Sequence, residues 1–371
     1  MEKFDTDVFV AGGGPAGLSV AIAARLAGLD VWIADRARPP IDKACGEGIL
    51  PQGMAALKQL GVRLPPERVR PFRGIRFVDA SGQAEARFSE NEFGMGVRRT
   101  VLHEALARRA EEVGVRMRWG ARVEKFNEDC ITVEGKSIRA RWRVCADGQN
   151  SRLRAHAGLE PSPKPALRKG QTRHYLLAPW TDLVEVYWNA SGQLYVTPIS
   201  GTEICVAHIT RNLSTRFDDA LRDFPAVDQK LAGAKISSPL FGAVTLSRRL
   251  RKVAGQNVAL LGEAAGSVDA VTGAGLTIAF QEALALADAM RAGNLSAYQA
   301  AHAKISRLPH LMSRMLLCMD RIPAVRRRVL RAFAAEPRLF SALLAMHADP
   351  APRVTRSARK IFSLGWHVLT A

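Results

Sequence analysis

Two short stretches bring together the residue types on which chemistry could rest. In KACGEGILPQG, residues 43–53, a thiol (Cys45) and a carboxyl group (Glu47) stand two apart among three glycines and a proline. Cys45 could protonate or orient a substrate, with Lys43 two residues away favouring its thiolate. Glu47 could serve as an acid or base if burial raised its pKa. Each has a plain structural alternative: a small residue fitting a tight glycine loop, and a loop acid facing solvent. In the second stretch Gly12, Gly14 and Gly17 make the spacing G-x-G-x-x-G, and Asp35 follows at the end of the next apolar run. Gly12 allows a tight turn, Gly14 lets backbone approach a pyrophosphate, and Gly17 lets helix pack on strand. Asp35 stands where a carboxylate accepts a ribose hydroxyl. The combination predicts a dinucleotide site, without saying which dinucleotide.

These residues need elements to hold them. DTDVFVAGGGPAGLSVAIAARLAGLDVWIADR reads as strand, glycine turn, helix and strand, a βαβ unit. The 43–53 loop follows, then a helix in PQGMAALKQLG. From Phe72 to Val97 short alternating runs predict antiparallel strands, and Arg99 to Val113 predicts a helix with Leu102 and Leu106 on one face. Strands are expected again in VRMRW, ARVEKF, CITVEG and SIRARWRVCADG. PSPKPALRKGQ reads as a crossing into a second β region through HYLLA, LVEVYWN, QLYVTPI and EICVAHIT, with a helix near Thr215 to Phe224. NVALLGEAAG returns to a buried strand, and Gly275 to Ala292 is a long helix. The expected division is a nucleotide-binding domain in three parts (1–71, 98–160, 253–295), substrate-domain strands (72–97, 161–252) and a basic helical segment (296–371).

Composition limits what such a chain does. Its 371 residues, 47% hydrophobic, suffice for a large core. Five cysteines form no C-x-x-C pair, and an odd number does not suit a disulfide framework; they read as reduced cytosolic thiols. The start is too short and polar for a signal peptide, and no apolar run reaches the roughly 18 residues of a spanning helix. The expected location is therefore cytoplasmic. The net charge is +18, and from Arg291 onward fourteen Lys or Arg face three acids, Asp320, Glu336 and Asp349. Arg321, Arg326, Arg327, Arg328 and Arg331 alternate with Ile322, Val325, Val329, Leu330 and Phe333. This basic amphipathic surface suits solvent, an acidic carrier protein or peripheral contact with anionic lipid. Nucleic acid is not expected, because no nucleic-acid-binding signature accompanies the charge. No metal site is expected either.

Two later segments sharpen the reading. ADGQNSRLR gives Asp147-Gly148-x-x-Ser151-x-x-Arg154, and VALLGEAAGSVDAVTGAGL gives Gly262-Glu263-Ala264-Ala265-Gly266 followed by Gly273-x-Gly275-Leu276. With these in order, residues 5–295 resemble the flavoprotein monooxygenases of the para-hydroxybenzoate hydroxylase class and their relatives, the geranylgeranyl reductases and flavin-dependent halogenases. The resemblance implies an α/β fold, a three-layer Rossmann-type FAD-binding domain interrupted by an antiparallel substrate sheet. It implies that FAD is held by Gly12, Gly14, Pro15, Ala16, Gly17, Asp35 and Arg36, and by Cys45, Gly46 and Gly48 at the ring. Arg99 of R-x-x-L-x-x-x-L, Asp147, Gly148, Gly262, Glu263, Gly273, Ala274, Gly275 and Leu276 complete the implied site. The departures are Glu263 for the usual aspartate, Ala270 for proline, and Ala274 where reductases often carry glutamate.

The same resemblance leaves a choice of reactions. QLYVTPIS lacks the halogenase W-x-W-x-I-P and keeps little of the reductase Y-x-W-x-F-P, whereas CGEG resembles the reductase C-G-x-G. The first expectation is an NADH- or NADPH-driven monooxygenase that hydroxylates a hydrophobic aromatic or polyketide-type substrate. The second is a geranylgeranyl-reductase-like ene-reductase using Cys45; a halogenase or a non-catalytic flavin-binding protein comes after. Tyr187, Tyr195 and His208 are candidate substrate contacts, although His208 on an apolar strand is most simply a core histidine. Arg248, Arg249 and Arg251 are either surface groups or a grip for an acidic ligand. The Leu-, Met- and Phe-rich C-terminal segment would extend the pocket or rest on a membrane.

Overall fold

The computed structural model describes residues 4–126, 130–156, 159 and 167–348. Thr6–Ala11 and Val31–Asp35 pair in parallel, joined by the helix Pro15–Leu26. The sheet runs Val258–Leu260, Ala140–Cys145, Thr6–Ala11, Val31–Asp35, Arg116–Trp119, every pair parallel. Its central residues Val8, Phe9 and Val10 are fully buried, as expected where packed elements cover a parallel sheet. The helices Pro15–Leu26, Arg99–Glu112 and Gly275–Arg291, with a three-stranded meander (Val123–Phe126, Ile131–Val133, Lys136–Ile138), share one core with it. Parts of the chain far apart in sequence thus complete one parallel layer.

The second sheet has eight strands. Seven follow the order Lys235–Ile236, Leu167–Leu176, Glu203–Thr210, Gly192–Pro198, Val184–Asn189, Gly74–Asp79, Gly82–Arg87, and Phe241–Leu246 also pairs with Leu167–Leu176. It is antiparallel except where Val184–Asn189 meets Gly74–Asp79. Residues 72–97 do not all belong to it. Gly94–Val97 instead pairs with Gly48–Ile49 and Val69–Phe72 in a small sheet. A Cβ on Gly96 would lie 1.7 Å from the Pro198 carbonyl oxygen, so the small sheet sits directly on the large one. This contact anchors the 43–53 loop against the large sheet.

Strand alternation gives the large sheet two faces. Tyr187, Leu194, Ile204 and Val206 pack with the helices Phe217–Arg222 and Pro225–Leu231. Phe77, Val186 and Trp188 face the C-terminal helices Leu295–Arg321, Pro323–Ala335 and Pro337–Ala348. The basic segment departs from its expected surface pattern. Arg326 is buried and donates to Asp79 Oδ2 (3.1 Å) and the Met319 carbonyl (3.3 Å), while Val329, Leu330 and Phe333 turn inward. Arg327, Arg328 and Arg331 remain exposed. Its amphipathicity is satisfied by the sheet because Phe77 and Trp188 offer a larger apolar face than solvent does. The proline-rich crossing at residues 160–166 and the tail from Asp349, including IFSLGWHVLTA, lie outside the described residues.

Candidate active site

One cavity of about 370 Å³ runs between the two sheets. At its polar end the helix Pro15–Leu26 begins with proline at its first turn and no side-chain cap. Its first backbone N–H groups and its positive dipole end are therefore available to a ligand. Gly12 adopts φ +113°, and a Cβ there would lie 2.3 Å from the Ala146 carbonyl oxygen. Gly17 presses on Gly12, since its Cβ would sit 1.8 Å from the Gly12 carbonyl oxygen. Both are structural, whereas Gly14, Pro15 and Ala16 border the cavity. Asp35 accepts from the backbone N–H groups of Gly13 (2.6 Å) and Ala37 (2.8 Å), which ties the glycine turn to the second strand. Arg36 is exposed and Asp147 is exposed, and neither borders the cavity.

The later motifs converge on the same space. Gly148, Gly262, Glu263, Gly273, Gly275 and Leu276 border it. Ala274 does not: it is buried among Val271 and Ile278, so only its backbone faces the turn. Arg154 spans two motifs, donating to the Ala264 carbonyl at 3.0 Å. Glu263 is exposed and pairs with Lys43 at 3.3 Å across the rim. Lys43 is thus engaged away from Cys45, contrary to the thiolate expectation. Burial pushes the Cys45 thiol above its ordinary pKa; the Arg99 charge opposes this and the Glu47 charge reinforces it. The sulfur accepts the Glu47 backbone N–H at 3.4 Å. Arg99 is buried, borders the cavity, and its Nε has no hydrogen-bond partner. A buried cation whose Nε is unsatisfied, beside open glycines, fits an anionic ligand group.

Glu47 is not a solvent-facing acid. It is buried with φ 56°, a left-handed conformation uncommon outside glycine. Its Oε1 accepts the Arg99 backbone N–H at 2.8 Å, at the start of the helix Arg99–Glu112, and its Oε2 meets His174 Nε2 at 2.7 Å. Cys205 completes a tight group, its ligand atom within 4.8 Å of those of Glu47 and His174. Both carboxylate oxygens and both imidazole nitrogens are already hydrogen-bonded, so the group reads as a polar network rather than an ion cage.

Beyond the loop the cavity becomes apolar. Phe72, Ile75 and Phe77 form one wall, and Met312, Leu316, Phe333 and Phe340 form another. Phe333 and Phe340 stack with centroids 4.4 Å apart. Tyr195 borders this space and donates its hydroxyl to the Val271 carbonyl at 3.0 Å; burial pushes its pKa up. The two other expected substrate contacts are corrected by strand alternation. The Tyr187 side chain lies on the opposite face and donates to Glu185 Oε2 at 2.8 Å. The His208 ring packs on Phe224 on that same far face, although the residue itself borders the cavity. Burial pushes its pKa down to about 4, against the opposing effect of the Ser191 backbone. Arg248 donates to the Gln149 carbonyl at 2.7 Å, while Arg249 and Arg251 are exposed.

Sequence reading missed a second network. Arg168, at the start of the Leu167–Leu176 strand, is buried and bonds Asp269 at 2.6 Å and Gln193 at 2.5 Å. Asp320, from the last turn of the helix Leu295–Arg321, joins through Gln193 and lies 3.7 Å from Arg168. Asp269 in turn accepts the Val271 N–H at 3.0 Å. The turn before Gly273 is therefore pinned to the large sheet and a C-terminal helix. No spacing in the sequence signals this, because its members come from four distant segments.

A glycine cradle at the switch between parallel strands, and a cavity passing from backbone amides to aromatic side chains, define a dinucleotide-binding oxidoreductase. The chain belongs to the FAD binding domain family, whose model matches residues 5–293. It is an FAD-dependent oxidoreductase. It is 29% identical over 303 residues to the menaquinone reductase of Mycobacterium tuberculosis, covering 73% of this chain and 72% of that protein. It is 27% identical over 293 residues to digeranylgeranylglycerophospholipid reductase 2 of Methanopyrus kandleri, covering 73% of each. A flavoprotein/dehydrogenase of Cytophaga hutchinsonii superposes with TM-score 0.79 at 18% identity over 92% of both chains, a likeness of fold.

Proposed function

We propose that the protein saturates a carbon–carbon double bond in a lipophilic, prenyl-type chain, with FAD charged by NADH or NADPH. The observation that carries this reading is the apolar chamber joined to the FAD cradle beside buried protic groups. It suits a long hydrocarbon better than a polar metabolite. The two reductase relatives support the same choice, one being named for a digeranylgeranyl lipid. In this reading Gly14, Pro15, Ala16, Arg99, Gly148 and Gly262 hold the dinucleotide's phosphates and sugars, with Gly12, Gly17 and Asp35 shaping the turn. Cys45, Gly46, Gly48, Gly273, Gly275 and Leu276 surround the ring. When bound, FAD supplies a hydride equivalent. The chain's own part is to orient the alkene, exclude water and furnish a proton.

The outer faces of the C-terminal helices suggest where such a substrate is met. Lys304, Arg307, Arg314 and Arg321 recur along the exposed side of Leu295–Arg321, opposite cavity-facing Met312 and Leu316. Contact with anionic lipid through this stripe is part of the proposal. No helix among the described residues is long and apolar enough to cross a membrane. Sedimentation with phosphatidylglycerol vesicles should pull the protein down at low salt and release it at high salt. Equal binding to neutral vesicles would remove this part.

Hydroxylation of an aromatic or polyketide-type substrate is the second reading, favoured by the aromatic lining of the same chamber, where Phe72, Phe77, Phe333 and Phe340 would pack against a ring. One assay separates the two. NADPH-driven conversion of a geranylgeranyl lipid under anaerobic conditions supports the reductase. Product formed only with oxygen and carrying labelled oxygen would reject it.

A further inference from the structure

Glu47 and His174 come from distant segments, and their side chains are only 2% and 1% exposed. His174 Nδ1 lies 2.7 Å from Ser238 Oγ. The Ser238 hydroxyl has another acceptor within reach, the Pro239 carbonyl at 2.9 Å, and its oxygen also accepts the His174 backbone N–H at 3.2 Å. Two arrangements therefore satisfy the same coordinates. With Nε2 protonated, the ring donates to Glu47 and the serine hydroxyl donates to Nδ1. With Nδ1 protonated, the ring donates to Ser238 Oγ, the hydroxyl turns to Pro239, and a protonated Glu47 donates to Nε2. Neither leaves a buried polar atom of the pair orphaned, which is the requirement for moving a proton through a buried network. Ser238 is 8% exposed between exposed Ser237 and Pro239, and at the other end Glu47 borders the cavity. Charged and titratable neighbours are Arg99 and Cys45 beside Glu47, Cys205 from the strand Glu203–Thr210, and the Arg98–Glu203 pair at 3.5 Å.

We propose that Ser238, His174 and Glu47 form a proton relay from solvent to the cavity, with His174 as the positioning residue that recharges Glu47. The inference rests on the reductase reading. Saturating a double bond adds a hydride, supplied by the reduced cofactor, and a proton. Ser238 Oγ takes a solvent proton as its own passes to Nδ1, and the Nε2 proton passes to Glu47 Oε2. Glu47 then gives this proton to the second alkene carbon: an O–H bond breaks as a C–H bond forms, and no electrons travel along the relay.

Two experiments test it. In the apoprotein, nitrogen-15 NMR of labelled histidine should show His174 exchanging between tautomers in the wild type and held in one tautomer in Ser238→Ala. A single tautomer in the wild type, or unchanged exchange in the variant, would overturn the relay. In the loaded enzyme, His174→Gln should lower the rate of anaerobic alkene saturation relative to that of FAD reduction by NADPH about 100-fold, the scale of general acid catalysis. Ser238→Ala should lower the same ratio by a smaller factor. An unchanged ratio in both variants would also overturn the relay. If the wild type saturates no alkene, the reductase reading fails by itself, and the NMR result then decides the relay.

Discussion

The two ends of the cavity are built on opposite principles. At the dinucleotide end the chain removes side chains, so that backbone can approach a ligand, and Gly12 and Gly17 are fixed by contacts that leave no room for a Cβ. At the apolar end it supplies side chains, from two strands of the large sheet and from three helices more than a hundred residues away. A backbone-built site has one solution and is intolerant of any added atom. A side-chain-built chamber has many solutions and tolerates exchange of volume, at a cost in packing. The cradle should therefore fail abruptly under mutation, and the chamber by degrees.

The sharpest way to break this contrast is Gly17→Ala. Its Cβ would lie 1.8 Å from the Gly12 carbonyl oxygen, so the first turn must shift and FAD should be lost. Protein purified with a full flavin spectrum would refute the close-contact account. Next is Arg168→Leu, which strips buried Asp269 of its cation, leaves Asp320 only the half-exposed Arg211 at 3.2 Å, and should cost about 3–5 kcal/mol by chemical denaturation. A change under about 1 kcal/mol would mean the network is not buried as described.

Phe340→Ala removes one ring of a stack and should cost about 3 kcal/mol. Because Phe340 packs in the apolar cluster with Phe77 and Phe333, FAD affinity should hold within about twofold, while longer chains become better substrates. A loss of FAD instead would show that the two ends are coupled. His208 gives an effect of similar size that depends on pH. Its folded pKa of about 4 lies below the ordinary 6.5, so the unfolded chain binds that proton more readily. The stability is present above pH 6.5 and declines as pH falls towards 4, by about 3 kcal/mol. Denaturation midpoints of His208→Leu should fall less steeply than wild type over this range; parallel curves would assign the acid sensitivity elsewhere. The smallest effect is expected at the rim. The Lys43–Glu263 pair is about half exposed on each side, so Lys43→Met should change stability by less than about 0.5 kcal/mol.

Legibility followed the same division. The βαβ unit, the helices at Arg99 and Gly275 and most strands could be read because period and punctuation are local properties of the chain. The 43–53 loop could be read as a glycine turn carrying a thiol and an acid, but the conformation of Glu47 could not. The loop's chemistry depends on His174 and Ser238, which pattern marks only as strand and loop. Which side of the sheet Tyr187 and His208 take could not be read, because alternation shows that residues share a face without showing which face meets the cavity. Arg326 was misjudged for a related reason: its partner, Asp79, lies on a strand 247 residues earlier in the chain.

The sequence by itself determined the cradle, because a dinucleotide's phosphates demand glycines at fixed separations along one turn. It also determined that the C-terminal segment would be cationic on one side and apolar on the other. Only the tertiary structure decided what that apolar side covers, which faces of the large sheet look into the chamber, and how Glu47 meets His174. Those contacts join segments far apart in the chain, and their partners are selected by packing in three dimensions rather than by any spacing along one.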